Sequence, residues 1–225
     1  MPRVTSLLVP PLRDGDRLTS DEFMRRWEAM PDVKLAELID GVVYLSPLIT
    51  IAHSEFHFSL SGWIGPLVDS VSPALHVGIS GMWLMGERDT AQPDIHLCVP
   101  PGYGGQSQVE GDYALGAPEL IIEVSSPSRN RNIGLKSKLY ERMGVREHVV
   151  AFVEEQHVIW NELVDGKFQP IEPDSDGIMR SRFFPGLWLD PTALWPFDLS
   201  RLVAVAREGV ASPEHAAFVA RLVRK

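Results

Sequence analysis

The chain has 225 residues and a mass of 25.1 kDa, which fits one domain of above-average size or one domain with a small appendage. Hydrophobic residues at 44% and charged residues at 23% exclude a mainly disordered or collagen-like chain, and the single Cys98 excludes an internal disulfide and a Cys-rich zinc site. Lys and Arg number 21 against 30 Asp and Glu; the resulting −9 is repelled by nucleic acid at long range, so nucleic-acid chemistry has to rest on a local site.

Residues 1–17 hold three prolines and mixed charge and read as an extended N-terminal arm. The stretch before the charged run at 13–17 has no long apolar core of a secretory signal, and no apolar run reaches the about 20 residues that span a bilayer, so a cytoplasmic setting is expected. Thr19 followed by Glu22 is a capping box and predicts a helix over 20–30, ended by Pro31. Asp40-Gly41 between two apolar runs predicts a tight hairpin with strands at 35–39 and 42–46, closed by Pro47. Ile51, Phe56, Leu60, Ile64 and Leu67 mark a buried helix stripe over 51–69.

A strand pair is expected at 75–80 and 82–86, then strands at 92–98 and 119–125 with a turn-rich loop at 100–105 between them. A helix over 133–143 should stop at Gly144, with Leu135, Leu139 and Met143 as its buried stripe. Paired strands follow at 149–153 and 158–160, and an Asp165-Gly166 turn leads on. Helices at 199–207 and 213–224 end the chain, the second with Ser212 as N-cap and Pro213 behind it. The division expected is an arm at 1–17, a main domain at 18–195 and a C-terminal helical extension at 196–225.

Three constellations could carry chemistry. Strand alternation puts Asp94 and His96 on one face, and Glu119, Glu123 and Ser125 on one face of the next strand. An acid in so apolar a strand is costly to bury without a partner, and two carboxylates with a backbone carbonyl suit magnesium. The alternative is an ordinary acid at a strand end or beside an Arg. The second constellation is the basic segment 127–138, whose cations could contact a phosphate; a solvated helix start is the plainer reading, and periodicity does not choose between Lys136 and Lys138. The third is His53 and His57 at i, i+4, one face of a helix. Glu55 stands one position too far along for the metalloprotease pattern, and a zinc pair needs a third ligand that the residues leave unnamed, so partly buried histidines are the plainer reading. Cys98 in an apolar strand reads as inert core.

The order of motifs resembles a known family. Glu37-Leu38-Ile39-Asp40-Gly41, Leu45-Ser46-Pro47, His53, Pro93-Asp94, Glu123-Val124-Ser125-Ser126-Pro127-Ser128 and Lys136-x-x-x-Tyr140-x-x-x-Gly144-Val145-Arg146-Glu147 resemble the Uma-type putative restriction endonucleases, a branch of the PD-(D/E)XK nuclease superfamily. The resemblance covers roughly residues 18–190. It implies an α/β restriction-endonuclease-like core with a mixed sheet flanked by helices, an N-terminal helix and β-hairpin, and C-terminal helices. It implies Mg2+, or Mn2+, held by Asp94, Glu123, the carbonyl of Val124 and Glu37, with Lys136 as the catalytic amine and Lys138 as its fallback. It also implies a DNA substrate, a homodimer and no membrane. The chain departs from the pattern at Ser125, where the superfamily expects Lys, at Asn132, where the family often has Asp, and at Phe152.

Two functions of different classes follow. The first is a magnesium-dependent endonuclease that hydrolyses DNA phosphodiesters through an activated water. The second is a catalytically impaired interaction protein on the same fold, motivated by the −9 charge and the three departures, with Phe218, Leu222 and Val223 as a dimer or partner surface. A hydrolase of smaller phosphoesters is a third, weaker reading. Metal binding that depends on Glu123 separates the first from the second.

Overall fold

The computed structural model describes residues 9–46, 49–125 and 130–222, and the side chains of all these except 130–132. Asp40 and Gly41 take φ of 52° and 76°, the left-handed pair that a two-residue hairpin turn requires, and close β1 (Ala36–Ile39) on β2 (Val42–Leu45). Ahead of them, α1 (Ser20–Glu28) starts where the Thr19 hydroxyl accepts from the Glu22 N–H. The reciprocal half of the box does not form, because Glu22 turns to Arg25 and Arg26 at 2.7 and 2.6 Å. Of the arm, residues 1–8 lie outside the described part, and residues 9–17 are tied down: Leu12 is buried in one cluster with Met24 and Val43, and Gly15, in a turn, donates to the Val43 carbonyl.

Helix α2 (Ile51–Val71) is capped by Thr50 and followed by β3 (His76–Ile79), β4 (Trp83–Gly86), β5 (Asp89–Ala91) and β6 (Ile95–Cys98). Then come β7 (Gln108–Glu110), β8 (Tyr113–Leu115), β9 (Leu120–Ser125), α3 (Asn130–Met143), β10 (Glu147–Phe152), β11 (His157–Val164) and β12 (Lys167–Pro170). The short pair β13 (Met179–Arg180) and β14 (Trp188–Leu189) precedes α4 (Leu199–Val210) and α5 (Pro213–Arg221). Gly144, at φ 82°, ends α3 as expected.

Two six-stranded sheets result. One runs β2-β1-β5-β4-β8-β7 and the other β12-β11-β10-β9-β6-β3. Both are mixed: β4 and β8 are parallel in the first, β9 and β10 in the second, and the remaining pairs are antiparallel. The chain passes from the first sheet to the second at Gln92-Pro93-Asp94, between β5 and β6. Helix α3 bridges the parallel strands β9 and β10, as a parallel pair demands. Its Leu139 and Tyr140 pack in one core with Ile39 and Ala91 of the first sheet and Ile121 of the second. On the other face of the second sheet, α2 and α4 share a larger core with Leu97, Ile122 and Val149.

The structure corrects four local expectations. The segments 75–80 and 82–86 do not pair with each other: β3 pairs with β6, and β4 with β5 and β8. Ser80, at φ 52°, redirects the chain between sheets and donates to the Pro93 and Asp94 carbonyls. Asp94 is not inside the strand that carries His96, which begins at Ile95. Asp94 precedes β6, whereas the His96 ring lies over Gly78 and Gly81 against Trp83, where a Cβ on Gly78 would fall 2.5 Å from the ring. The buried stripe of α3 does not include Leu135, which is 36% exposed; Lys136 takes the inward position because two carboxylates receive it. Phe218 is no exposed partner surface but packs in the core against Phe184, with Leu222 beside it; Val223 lies outside the described residues.

Candidate active site

Three elements deliver an ion-pair cluster to the junction of the sheets. Glu37 comes from β1, Glu123 from β9 and Lys136 from the second turn of α3. The Lys136 Nζ lies 2.7 Å from Glu123 Oε1 and 2.9 Å from Glu37 Oε1, with all three residues buried. The Tyr140 hydroxyl, one turn further along α3, donates to the same Glu123 Oε1 at 2.7 Å. Glu37 Oε1 also accepts from the Gln92 N–H at 3.0 Å, and the Gln92 side chain accepts from Ala36 N in return. The sheet crossover thereby fixes the orientation of the β1 acid.

Asp94 completes the acids at that crossover. Its Oδ2 accepts from the Val124 N–H at 2.7 Å, so Val124 meets Asp94 through its amide. Its Oδ1 lies 3.3 Å from His53 Nε2 and 3.5 Å from His57 Nε2. The Thr50 cap, whose hydroxyl accepts from His53 N, sets the first turn of α2 so that both imidazoles face this carboxylate. His53 is almost fully buried, and among the described residues neither of its ring nitrogens has a hydrogen-bond partner within ordinary geometry; the same holds for His57 Nε2. An unsatisfied buried donor or acceptor costs about 1–3 kcal/mol.

The electrostatics follow from one ammonium among three acids. Burial opposes charge on Lys136, but Glu123, Glu37 and Asp94 outweigh it, so its pKa rises above the ordinary lysine value and it stays protonated. Burial pushes Glu123 up to about 8, with Asp94 and Glu37 adding to the rise and Lys136 opposing it. Burial also works against the Asp94 carboxylate, yet His53, His57 and Lys136 hold it well below the usual range.

The remaining expected residues fall as follows. Ser125 is buried at the end of β9, opposite Phe152 of β10. Lys138 is exposed and outside the cluster. Pro127, Ser128 and Arg129, and the side chains of Arg131 and Asn132, lie outside the described part of the structure. Glu119 is a brace, accepting from the Val99 and Gln106 amides at 2.7 and 3.0 Å. Burial raises the Cys98 thiol to about 11, as fits inert core. Sequence reasoning missed Tyr140 and Gln92 as parts of the site. Tyr140 stands at i+4 from Lys136 and so had a helical signal; Gln92 had none. It also left His53 and His57 without a third ligand, and the fold supplies Asp94.

The divalent metal that such an acid cluster suggests is consistent with these side chains. Asp94 Oδ1 with two buried imidazole nitrogens forms a donor set within 4.8 Å, and Glu123 and Glu37 lie across Lys136 from each other.

The site is thus two buried acids sharing one lysine, with a third acid beside two histidines, at the junction of the sheets of a mixed α/β fold. The chain matches the Uma2 family, described as "Putative restriction endonuclease", over residues 20–192, and it belongs to that family. Its fold is similar to the crystal structure of a putative nuclease of the DUF820 group from Anabaena variabilis, with a TM-score of 0.61 and 18% identity over 80% of this chain and 98% of that one. No curated protein matches it. Among the described residues no helix is long and apolar enough to cross a membrane.

Proposed function

We propose that the chain is a divalent-metal-dependent endonuclease hydrolysing DNA phosphodiester bonds. The observation that carries this reading is Lys136. Its ammonium reaches Glu123 from α3, in place of the lysine expected at Ser125, so a cation stands beside the β9 acid despite that departure. Asp94, Glu123 and Glu37, with the Val124 carbonyl, are the groups to hold Mg2+ or Mn2+. Such an ion, when bound, polarises the phosphodiester and lowers the pKa of a bound water.

The residues divide the remaining work. Lys136 keeps its proton, so it orients the attacking water and stabilises charge building on the phosphoryl oxygens rather than serving as a base. Gln92 and Tyr140 hold Glu37 and Glu123 in place. The Val124 amide holds Asp94 with one carboxylate oxygen turned to the histidines. The family resemblance adds a homodimer as the working assembly, which light scattering on the purified chain tests.

The test of function is cleavage of supercoiled plasmid with Mg2+ or Mn2+ by the wild type and by the Asp94→Ala/Glu123→Ala double variant. Cleavage by the wild type alone supports the reading. Equal cleavage by both removes the assignment to Asp94 and Glu123, and none by either, across metals and salt, overturns the reading in favour of a non-catalytic protein on this fold.

A further inference from the structure

We infer that His53 Nε2, His57 Nε2 and Asp94 Oδ1 form an imidazole–carboxylate metal site that takes a transition-metal ion of the Zn2+ class in preference to Mg2+. This deepens the function proposed above and rests on it in one respect, that Asp94 is among the metal acids. The histidines are not part of the acid set that reading invokes.

The distances carry the argument. Ligand atoms bound at about 2.0–2.2 Å to one ion, at tetrahedral or octahedral angles, lie about 3–3.5 Å from one another. Asp94 Oδ1 is 3.3 Å from His53 Nε2 and 3.5 Å from His57 Nε2. Both separations suit two ligands of one ion and are long for a charge-assisted hydrogen bond, which closes to about 2.7–2.9 Å. Both Nε2 atoms are buried and among the described residues make no hydrogen bond of ordinary geometry, so a metal would satisfy them directly.

The scaffold is already built. The i, i+4 spacing on α2 holds the two rings 4.9 Å apart, and Thr50 anchors the turn that carries His53. The Val124 amide donates to Asp94 Oδ2, and Oδ1 is the oxygen turned toward the rings. Three protein ligands leave positions open for water or a phosphate oxygen, the arrangement of a reactive rather than a purely structural metal. Imidazole nitrogen suits zinc and the later first-row ions, whereas Mg2+ takes oxygen. Two nitrogens in three ligands therefore turn the site away from Mg2+.

The experiment is calorimetric titration of the full chain, stripped with chelator, with ZnCl2 and with MgCl2, repeated on His57→Gln, His53→Gln and Glu123→Gln. Circular dichroism in chelator confirms that each variant is folded before titration. Co2+ absorption of the wild type reports the ligand set without any substitution. The expected result is Zn2+ binding at least about tenfold tighter than Mg2+, weakened about tenfold or more by His57→Gln or His53→Gln, with a Co2+ spectrum that His57→Gln changes. Zn2+ binding that both histidine variants leave intact while Glu123→Gln removes it puts the ion on the acids and overturns the inference. So does equal affinity for Mg2+, or no binding at all. Plasmid cleavage is scored separately. Histidine-dependent Zn2+ binding without cleavage in any metal overturns the nuclease reading and leaves this site standing; Mg2+-dependent cleavage without histidine-dependent binding does the reverse.

Discussion

Lys136 lies 2.7 Å from Glu123, one residue on the second turn of α3 and the other near the end of the strand that precedes that helix. A strand, a crossover helix and a parallel strand bring them together, so the amine need not follow the acid in sequence. Ser125, two positions after Glu123, is buried on the same strand, and strand alternation puts the two on one face.

Removing the Lys136 charge is expected to be costly in both stability and activity. Lys136→Met leaves Glu37 and Glu123 buried without their shared cation. Breaking a buried pair from one side costs about 3–5 kcal/mol. The melting temperature should drop accordingly, and cleavage should be lost even at temperatures where the variant is folded. Lys136→Arg keeps the charge, so it should recover much of the stability and little of the cleavage, because a planar guanidinium cannot reproduce the two contacts of a point ammonium. A Lys136→Met melt equal to the wild type would show that the ion pairs contribute nothing to the fold.

Much of this site is legible in the sequence because its parts sit in local motifs. Glu123 belongs to an apolar strand that cannot otherwise spare a charge, whereas Lys136 is told from Lys138 only by the family resemblance, since helix periodicity leaves both open. The Asp40-Gly41 hairpin and the Gly144 stop are legible for the same reason, since each turn is written in two residues. What is not legible depends on non-local pairing. The apolar runs on either side of Ser80-Gly81 look like a hairpin, yet their hydrogen bonds go to β6, β5 and β8. His53 and His57 are visibly a pair, but Asp94 reaches them only through the crossover between sheets, which no periodicity encodes. Leu135 follows a helical stripe and is still turned outward, because two carboxylates from other strands draw Lys136 in.

The Asp94 carboxylate does two separable things, so its variants should differ. Asp94→Asn keeps an oxygen for the Val124 N–H and is expected to fold with a loss within about 1 kcal/mol of that hydrogen bond's usual worth. Asp94→Ala leaves that buried amide unpaired and should lose about 1–3 kcal/mol. Both should abolish cleavage. Chemical denaturation alongside the plasmid assay checks this, and Asp94→Asn cleaving at the wild-type rate would remove Asp94 from the metal site.

Glu147 should matter to stability and not to metal. It is fully buried and accepts from Trp160 Nε1 at 3.1 Å, Ser181 Oγ at 2.7 Å, and the Arg182 and Phe183 amides at 2.6 and 2.7 Å. It fastens β10 to the segment before β14. Glu147→Leu strands those donors, and even one left unsatisfied costs about 1–3 kcal/mol. The variant should melt well below the wild type while Zn2+ and Mg2+ titrations on the folded protein stay unchanged.

Acid sensitivity should trace in part to His148. Its ring is buried between Tyr140 and Phe168, and burial, aided by Lys136, lowers its pKa from 6.5 to about 3. The unfolded chain therefore binds a proton at this residue below pH 6.5 that the folded protein refuses until about pH 3. Stability is lost as pH falls through that window and is complete above it, at about 1.4 kcal/mol per pH unit. His148→Phe removes the titration and keeps an aromatic between the two rings. The difference in unfolding free energy between the variant and the wild type should grow in the variant's favour as pH is lowered from 6.5. A constant difference across that range would show that His148 takes its proton in the folded state.

Tyr140 separates positioning from chemistry. Its hydroxyl donates to Glu123 at 2.7 Å, and burial raises its own pKa well above the tyrosine value, with Glu123 and Glu37 adding to the rise, so it remains a donor at any working pH. Tyr140→Phe retains the ring that packs against His148 and deletes one hydrogen bond to an acid that still has Lys136. Partners one step removed from a metal ligand are worth about 10–100-fold in metal affinity or activity. Tyr140→Phe should therefore cleave plasmid more slowly within that range, and the deficit should shrink as Mg2+ is raised, because a tilted Glu123 weakens binding before it weakens the reaction. Glu123→Gln should show no such recovery. A Tyr140→Phe deficit that stays the same at saturating Mg2+ would place the hydroxyl at the reacting phosphate rather than behind Glu123.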